Sequence, residues 1–441
     1  MKTSYRKIIC LAAALCLFGT ALASVSKIDA NASAAAEPQT WEFDKLMAPV
    51  WEGETSYMES VLPVENQYGG IDPIQLLYPI EEVIEVKNSE LTVTYQKGVD
   101  YVVAGGKLII AEDGAIPTMS YSEFHPTTGQ TGFEDVNGGY ICFSEGDYFH
   151  SKQIVVTYTH TETYEGYIPE GKSDLLPNVT TKLQKGEEID LLVLGDSISV
   201  GANSSGWIGT NPYIPTYPEL FAKYLATVYG GKVSLENPSV GGKDIIWGMN
   251  KINGVLETSD NVDLAVIAFG MNDGSKDATT FVEYANIIVD SIKTKFPEAD
   301  VMLVATMLPN PDAKFFNLNQ ANFYDAMVET CEKEGVAVVN MTGVHESLLQ
   351  RKRYADMTGN NVNHPNDYLA RVYAQTLFAT LQEEKQQSDC EIPADSTIGG
   401  EQQDSAILGF LSGCSGTVSL TVCGVTALGA AAIALNKKKD D

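Results

Sequence analysis

The hydrophobic pattern of this chain changes period twice. Between about Thr40 and Ser173 short β-branched and aromatic runs dominate: Leu91 to Tyr95, Tyr101 to Val103, Lys107 to Ile110 and Gln153 to Tyr158, with Gly105-Gly106 as a turn signal. No long stretch of helical period interrupts them, so residues 40–173 read as an all-β sandwich domain. Its aromatics, among them Tyr121, Phe124, Phe133, Tyr140, Phe143, Tyr148 and Phe149, are core residues in the first instance and sugar-stacking surfaces in the second. From about Glu187 short apolar runs alternate with amphipathic stretches. The strands predicted are Leu191 to Leu194, Val233 to Glu236, Leu264 to Phe269, Val301 to Ala305 and Val336 to Asn340. The helices predicted are Pro218 to Tyr229, Ala278 to Lys295, Ala321 to Glu334 and Asn366 to Glu383. Strand and helix in alternation mean a parallel sheet covered on both faces, an α/β domain over 187–384.

The two ends carry different patterns. Lys2, Arg6 and Lys7 precede an apolar stretch from Ile8 to about Ala23 and then small residues, which reads as a secretory signal peptide within residues 1–32, with Ala23 and Ala32 marking two cleavage points. After a polar linker at 385–406, no charged residue occurs from Ile407 to Leu435, a run longer than the roughly 20 residues that span a bilayer. Lys437-Lys438-Lys439 follow, so residues 436–441 read as a cytoplasmic tail and everything before the span as extracellular. The expectation is a single-pass cell-membrane protein whose membrane partner is this C-terminal helix.

Composition narrows the partners further. With 29 Lys+Arg against 58 Asp+Glu the net charge is -29, which argues against nucleic acid, whose phosphates require basic patches. Of 7 cysteines only Cys142, Cys331 and Cys390 lie outside the signal and the span, enough for one disulfide and not for a framework of them. The 5 histidines include no pair with metal-ligand spacing, so no metal and no cofactor is expected.

Candidate chemistry sits where strands end. In an open parallel sheet the site forms beyond the carboxyl ends of the strands. Gly195-Asp196-Ser197 closes one apolar run and Gly270-Met271-Asn272-Asp273 follows another. Asn361-Val362-Asn363-His364-Pro365 precedes the last predicted helix. A serine hydroxyl becomes a nucleophile only when a base takes its proton, and the tetrahedral intermediate needs donors aimed at its oxyanion. Ser197 is the candidate nucleophile, and His364 is preferred over His345 as base because it lies on a polar loop. The Asn272 amide, the Ser197 N–H and a glycine N–H, Gly242 being the choice from Asn237 to Gly242, would form the oxyanion hole. Trp207 and Trp247 flank the site in sequence and would suit a sugar ring or pack beneath a loop.

Four blocks in this order resemble the SGNH/GDSL hydrolase family: Gly195-Asp196-Ser197-Ile198-Ser199, Asn237 to Gly242, Gly270 to Asp273, and Asn361 to Pro365. The resemblance covers about Ile189 to Glu383 and implies a three-layer flavodoxin-like fold that hydrolyses esters. A β-sandwich ahead of such a domain is similar to some acetyl-carbohydrate esterases, so the expected substrate is an acylated carbohydrate. A lipase, lysophospholipase or thioesterase is the second expectation, and a catalytically weak carbohydrate-binding surface protein the third. One position departs from the family, which carries Asp three residues before its histidine where this chain has Asn361. The expectation is therefore a Ser197/His364 dyad with Asn361, or a backbone carbonyl, behind the imidazole. Asp356 and Asp367 are nearby acids without the family spacing.

Overall fold

The computed structural model describes residues 28–29, 40–129 and 132–383. The linker, the apolar run 407–435 and the basic tail lie outside the described residues, as does the signal segment apart from its two-residue strand. Among the described residues no helix is long and apolar enough to cross a membrane.

Among the described residues fourteen strands run in chain order as β1 Ile28–Asp29, β2 Thr55–Val61, β3 Glu82–Asn88, β4 Thr94–Tyr95, β5 Tyr101–Ala104, β6 Lys107–Ile110, β7 Gly132–Glu134, β8 Tyr140–Cys142, β9 Ile154–Thr159, β10 Ile189–Gly195, β11 Val233–Glu236, β12 Leu264–Ala268, β13 Asp300–Ala305 and β14 Ala337–Asn340. One sheet has the order β1-β11-β10-β12-β13-β14. Its strands β10 to β14 pair in parallel, while β1 adds antiparallel to β11. The order reverses beside β10, the strand that ends in Gly195-Asp196-Ser197. This topological switch is where such a sheet opens a crevice.

Helices cover the sheet as the alternation predicts. Ala278–Lys295 has the predicted bounds, and Tyr217–Tyr229 starts in a capping box made by Thr216 and Glu219. The helix Ile245–Thr258 was not predicted, because its two glycines and two asparagines dilute the periodic signal. It forms nonetheless: Asp244 caps it by accepting from Trp247 N–H at 2.9 Å, and Ile245, Ile252 and Leu256 bury one stripe. Gly248 lies on the same stripe, where a Cβ would stand 2.6 Å from the Phe269 ring, so a small residue is needed for helix and strand to approach.

The β segment differs from the expected free-standing sandwich. It is a four-stranded antiparallel sheet in the order β2-β9-β3-β4, accompanied by the hairpins β5–β6 and β7–β8. Its core does not close on itself. Val61, Val86, Val156 and Tyr158 belong to one apolar cluster with Leu191, Val266, Val339 and Tyr373 of the α/β layer. Polar ties cross the same boundary. Gln375 Nε2 donates to the carbonyls of Leu46 and Ala48 at 3.0 and 2.8 Å, and Lys352 Nζ meets Glu59 Oε1 at 2.6 Å with both side chains fully buried. Glu59 is otherwise saturated by Leu77 N–H, Tyr158 O–H and Ser56 O–H, which is what allows a carboxylate in that position.

Candidate active site

The nucleophile loop is built by strand geometry. β10 is buried along its length to Gly195, where a Cβ would run into the Ala268 carbonyl and the Ser199 hydroxyl. Asp196 then caps a single helical turn, Ser197–Val200, by accepting from Ile198 N–H at 3.0 Å. Ser197 therefore stands at the carboxyl end of a central strand, with 6% of its surface exposed. Burial pushes the Asp196 carboxyl up to about 7, the Ile198 N–H acting against that rise.

His364 reaches this serine from the other side of the crevice. Its Nε2 lies 2.8 Å from Ser197 Oγ, and the ring is 7% exposed. The loop that carries it is bonded to itself: Asn360 Oδ1 accepts from Val362, Asn363 and His364 N–H, each at 3.0 Å, while Thr358 Oγ donates to the His364 carbonyl at 2.8 Å.

The other ring nitrogen decides the tautomer. Asn203 Oδ1 lies 2.6 Å from His364 Nδ1, and Asn203 Nδ2 donates to the Gly146 carbonyl at 3.1 Å. Because the amide nitrogen is committed to a carbonyl, the oxygen faces the ring, and Nδ1 must carry the proton. Nε2 is left with a lone pair aimed at the serine hydroxyl, the arrangement a general base requires. Glu145 Oε2 stands 3.2 Å from the same Nδ1, and Glu145 Oε1 accepts from Asn360 Nδ2 at 3.2 Å. Desolvation raises the Glu145 carboxyl, but the hydrogen bond and charge of His364, with Asn360 and Asn203, outweigh it and leave Glu145 below the usual carboxylate range.

Asn361 does not touch the imidazole, which corrects the expectation drawn from its spacing. It is fully buried in the left-handed region at φ 65, which asparagine tolerates better than most residues. Its Nδ2 donates to the Cys142 carbonyl at 3.0 Å and its carbonyl accepts from Asn310 Nδ2 at 2.7 Å. The side chain thus pins the histidine loop to β8. Asp356 and Asp367 are also committed elsewhere, accepting from Leu62 N–H and Ser205 N–H at 2.8 Å each. His345 accepts from Leu308 N–H at 3.0 Å, and full burial pushes its imidazole down to about 3.

On the far side of Ser197 lies the glycine loop. Val240 N–H donates to the Gly195 carbonyl at 3.3 Å, and a Cβ on Gly241 would sit 3.6 Å from Ser197 Cβ, so this loop is seated against the serine. Gly242 has φ 71, the left-handed geometry that glycine adopts without cost. Both glycines are exposed. Asn272 Nδ2 donates to the Lys243 carbonyl at 2.9 Å, tying the turn after β12 to the glycine loop and leaving a second amide proton. Trp247 leans on Phe269, with ring centroids 6.4 Å apart, and is part of the core layer, whereas Trp207 is 50% exposed. Cys142 and Cys331 are buried free thiols, Cys331 pushed up to about 12 by burial. Among the described residues no group of three or more His, Cys, Asp or Glu is placed to hold a metal ion.

Glu145 and Asn203 are the residues that sequence reasoning missed. Asn203 stands six residues beyond Ser197 in the segment that follows the nucleophile, but nothing in its spacing points to a histidine partner. Glu145 comes from the β segment, more than two hundred residues before His364, and left no signal.

A serine hydroxyl facing a neutral imidazole, beside a glycine loop and a carboxamide at the switch point of a parallel sheet, is the equipment of a hydrolase that acts on ester bonds. Residues 193–372, the α/β part of the chain, match the model of the GDSL-like lipase/acylhydrolase family, which supports an SGNH/GDSL hydrolase assignment for that part. No curated protein matches it. Among solved structures it is similar to a member of the lipolytic G-D-S-L family from Veillonella parvula, at 16% identity over 43% of this chain and 96% of that one, with a TM-score of 0.35. An acetylxylan esterase from Geobacillus stearothermophilus gives 14% identity, 46% and 97% coverage and a TM-score of 0.38. A two-domain esterase active on acetylated mannans gives 18%, 49% and 56%, and 0.39.

Proposed function

We propose that this chain removes small acyl groups, acetyl foremost, from carbohydrate at the outer face of the cell, with Ser197 as nucleophile and His364 as general base. The observation that carries the reading is the 2.8 Å contact between Ser197 Oγ and His364 Nε2 at a nucleophile only 6% exposed. A serine so enclosed suits a slender acyl group. The neighbouring exposed Gly241 and Gly242, which have no side chains, leave room on one side for a bulky alcohol. Trp207, on the nucleophile loop and half exposed, offers a face to a sugar ring. The signal-like N-terminus and the apolar run 407–435 support a tethered extracellular location.

In this mechanism Ser197 Oγ attacks the ester carbonyl carbon while its proton passes to Nε2. The oxyanion is met by the N–H groups of Ser197 and Gly242 and by the second Asn272 amide proton. The carbon–oxygen bond to the alcohol then breaks, and the imidazolium gives its proton to the departing oxygen. Water repeats the sequence on the acyl-serine, releasing the carboxylic acid and restoring the hydroxyl. Acetate release from acetylated xylan and hydrolysis of p-nitrophenyl esters of increasing chain length test the reading. An acetyl optimum and loss of both activities in Ser197→Ala are expected; a long-chain optimum, or equal activity in the variant, would reject it.

A further inference from the structure

We propose that Glu145, carried into the crevice by the β7–β8 hairpin, is the acidic positioning residue of His364, so that the β segment completes the catalytic machinery of the α/β domain. This rests on the Ser197–His364 reading above.

The family position for the acid is filled by Asn361, whose amide is spent on Cys142. The imidazole still requires something that stabilises it when it takes the serine proton, and a neutral amide cannot supply charge. Asn203 holds the tautomer; Glu145 Oε2, 3.2 Å from Nδ1, is the charge. The other ionisable groups on the surrounding elements make no hydrogen bond or ion pair with His364 among the described residues. Asp196 caps Ile198, Asp367 binds Ser205 N–H, and Asp244 and Asp273 hold Lys276 at 2.9 and 3.0 Å. Asp147, two residues beyond Glu145, accepts from Ser151 N–H only through its main-chain carbonyl, and its side chain is exposed; Lys243 is occupied through its carbonyl by Asn272.

The hairpin is anchored for this purpose. Lys314 N–H donates to the Glu134 carbonyl at 2.8 Å and Val136 N–H to the Asp312 carbonyl at 3.0 Å. Ile141, Ala313 and Val362 close a small apolar cluster between hairpin and histidine loop, with Phe133, Phe143 and Phe316 packed around it. The Asn361 bond to Cys142 places the loop three residues before Glu145, and the Asn203 bond to Gly146 fixes the residue after it. Glu145 is thus held from both sides. During turnover the proton stays on the imidazole; the carboxylate stabilises the imidazolium and does not accept it.

Glu145→Gln removes the charge, and because its single amide oxygen stays with Asn360, it also removes the acceptor facing Nδ1–H, leaving Asn203 alone to hold the ring. In a serine protease, exchanging the buried aspartate for asparagine costs about 10⁴ in kcat. Glu145 is nearly half exposed and Asn203 still holds the ring, so the expected loss is about 10- to 10²-fold in kcat per fluorophosphonate-titrated site, with KM little changed. Losing the carboxylate removes a negative charge that favours the imidazolium, so the acid limb of kcat/KM should move to lower pH. A kcat within about twofold of the parent with an unmoved acid limb would overturn this assignment and leave the esterase reading standing. Retained activity in Ser197→Ala, assayed alongside, would overturn both.

Discussion

Replacing Asn361 by aspartate removes the Nδ2–H that the Cys142 carbonyl accepts at 3.0 Å and sets a carboxylate oxygen against that carbonyl, at a position with no exposed surface. Asn310 Nδ2 continues to donate to the Asn361 main chain, but among the described residues the hydrogen-bond partners of Asn361 include no Lys or Arg side chain to balance the new charge. A buried charge without a partner costs about 3–5 kcal/mol. Protonated, the new carboxyl would offer an O–H to Cys142, and the cost falls to about 1 kcal/mol. Its folded pKa is therefore raised above the ordinary value near ~3.9. A raised carboxyl keeps its stability below the unfolded pKa and loses it as pH rises through the folded one, so the deficit of Asn361→Asp opens above about pH 4. Activity gains nothing, because the side chain points at β8 and the Nδ1 it would have to reach is already held by Asn203 and Glu145. Urea unfolding at pH 5 and pH 8 and kcat/KM on p-nitrophenyl acetate check both halves. A tenfold rise in kcat with an unchanged unfolding midpoint at pH 8 would refute the reasoning.

Asn272→Ala removes the proposed oxyanion donor and should lower kcat by about 10² to 10³ with little change in KM; a loss under tenfold would remove Asn272 from that role. Asp196→Asn keeps the cap on Ile198 but deletes a carboxyl raised to about 7. Because that proton is held more tightly folded than unfolded, the parent loses stability between about pH 4 and pH 7, by at most about 4 kcal/mol, and the variant should not. Parallel stability–pH curves for the two would contradict this. Lys352→Met strands Glu59 inside the shared core and should cost about 3–5 kcal/mol, much of it recovered in the Glu59→Gln/Lys352→Met double variant; equal losses in single and double would show that the charge is not the cause.

The α/β half was legible because its signals are local. β11 has the predicted bounds, β10 and β14 differ by a residue or two at their ends, and Ser197, Asn272 and His364 all fall at loops the topology sets at one rim of the sheet. The β half was not. β2 hides behind Glu59, a carboxylate whose buried pairing with Lys352 comes from almost three hundred residues away, and Leu91 to Tyr95 reads as a strand although Leu91 turns at φ 60 and only Thr94–Tyr95 pair. The core shared with the α/β layer was hidden for the same reason: alternation tells which face is apolar, not whose core it enters. At the site, spacing singled out Asn361, but a left-handed backbone rotates its amide to Cys142. Glu145 could be found only once the chain had folded back on itself.

The ties between Gln375 and the carbonyls of Leu46 and Ala48 join the two extremes of the described chain. Whatever order the remaining parts assemble in, the early β strands must wait for the final helix, Asp367–Thr380, before their inner face is sealed. Contacts of such sequence separation make assembly slow. On the proposed mechanism a chain still emerging presents Ser197 before His364, so hydrolytic competence follows the folding of the histidine loop and the helix after it.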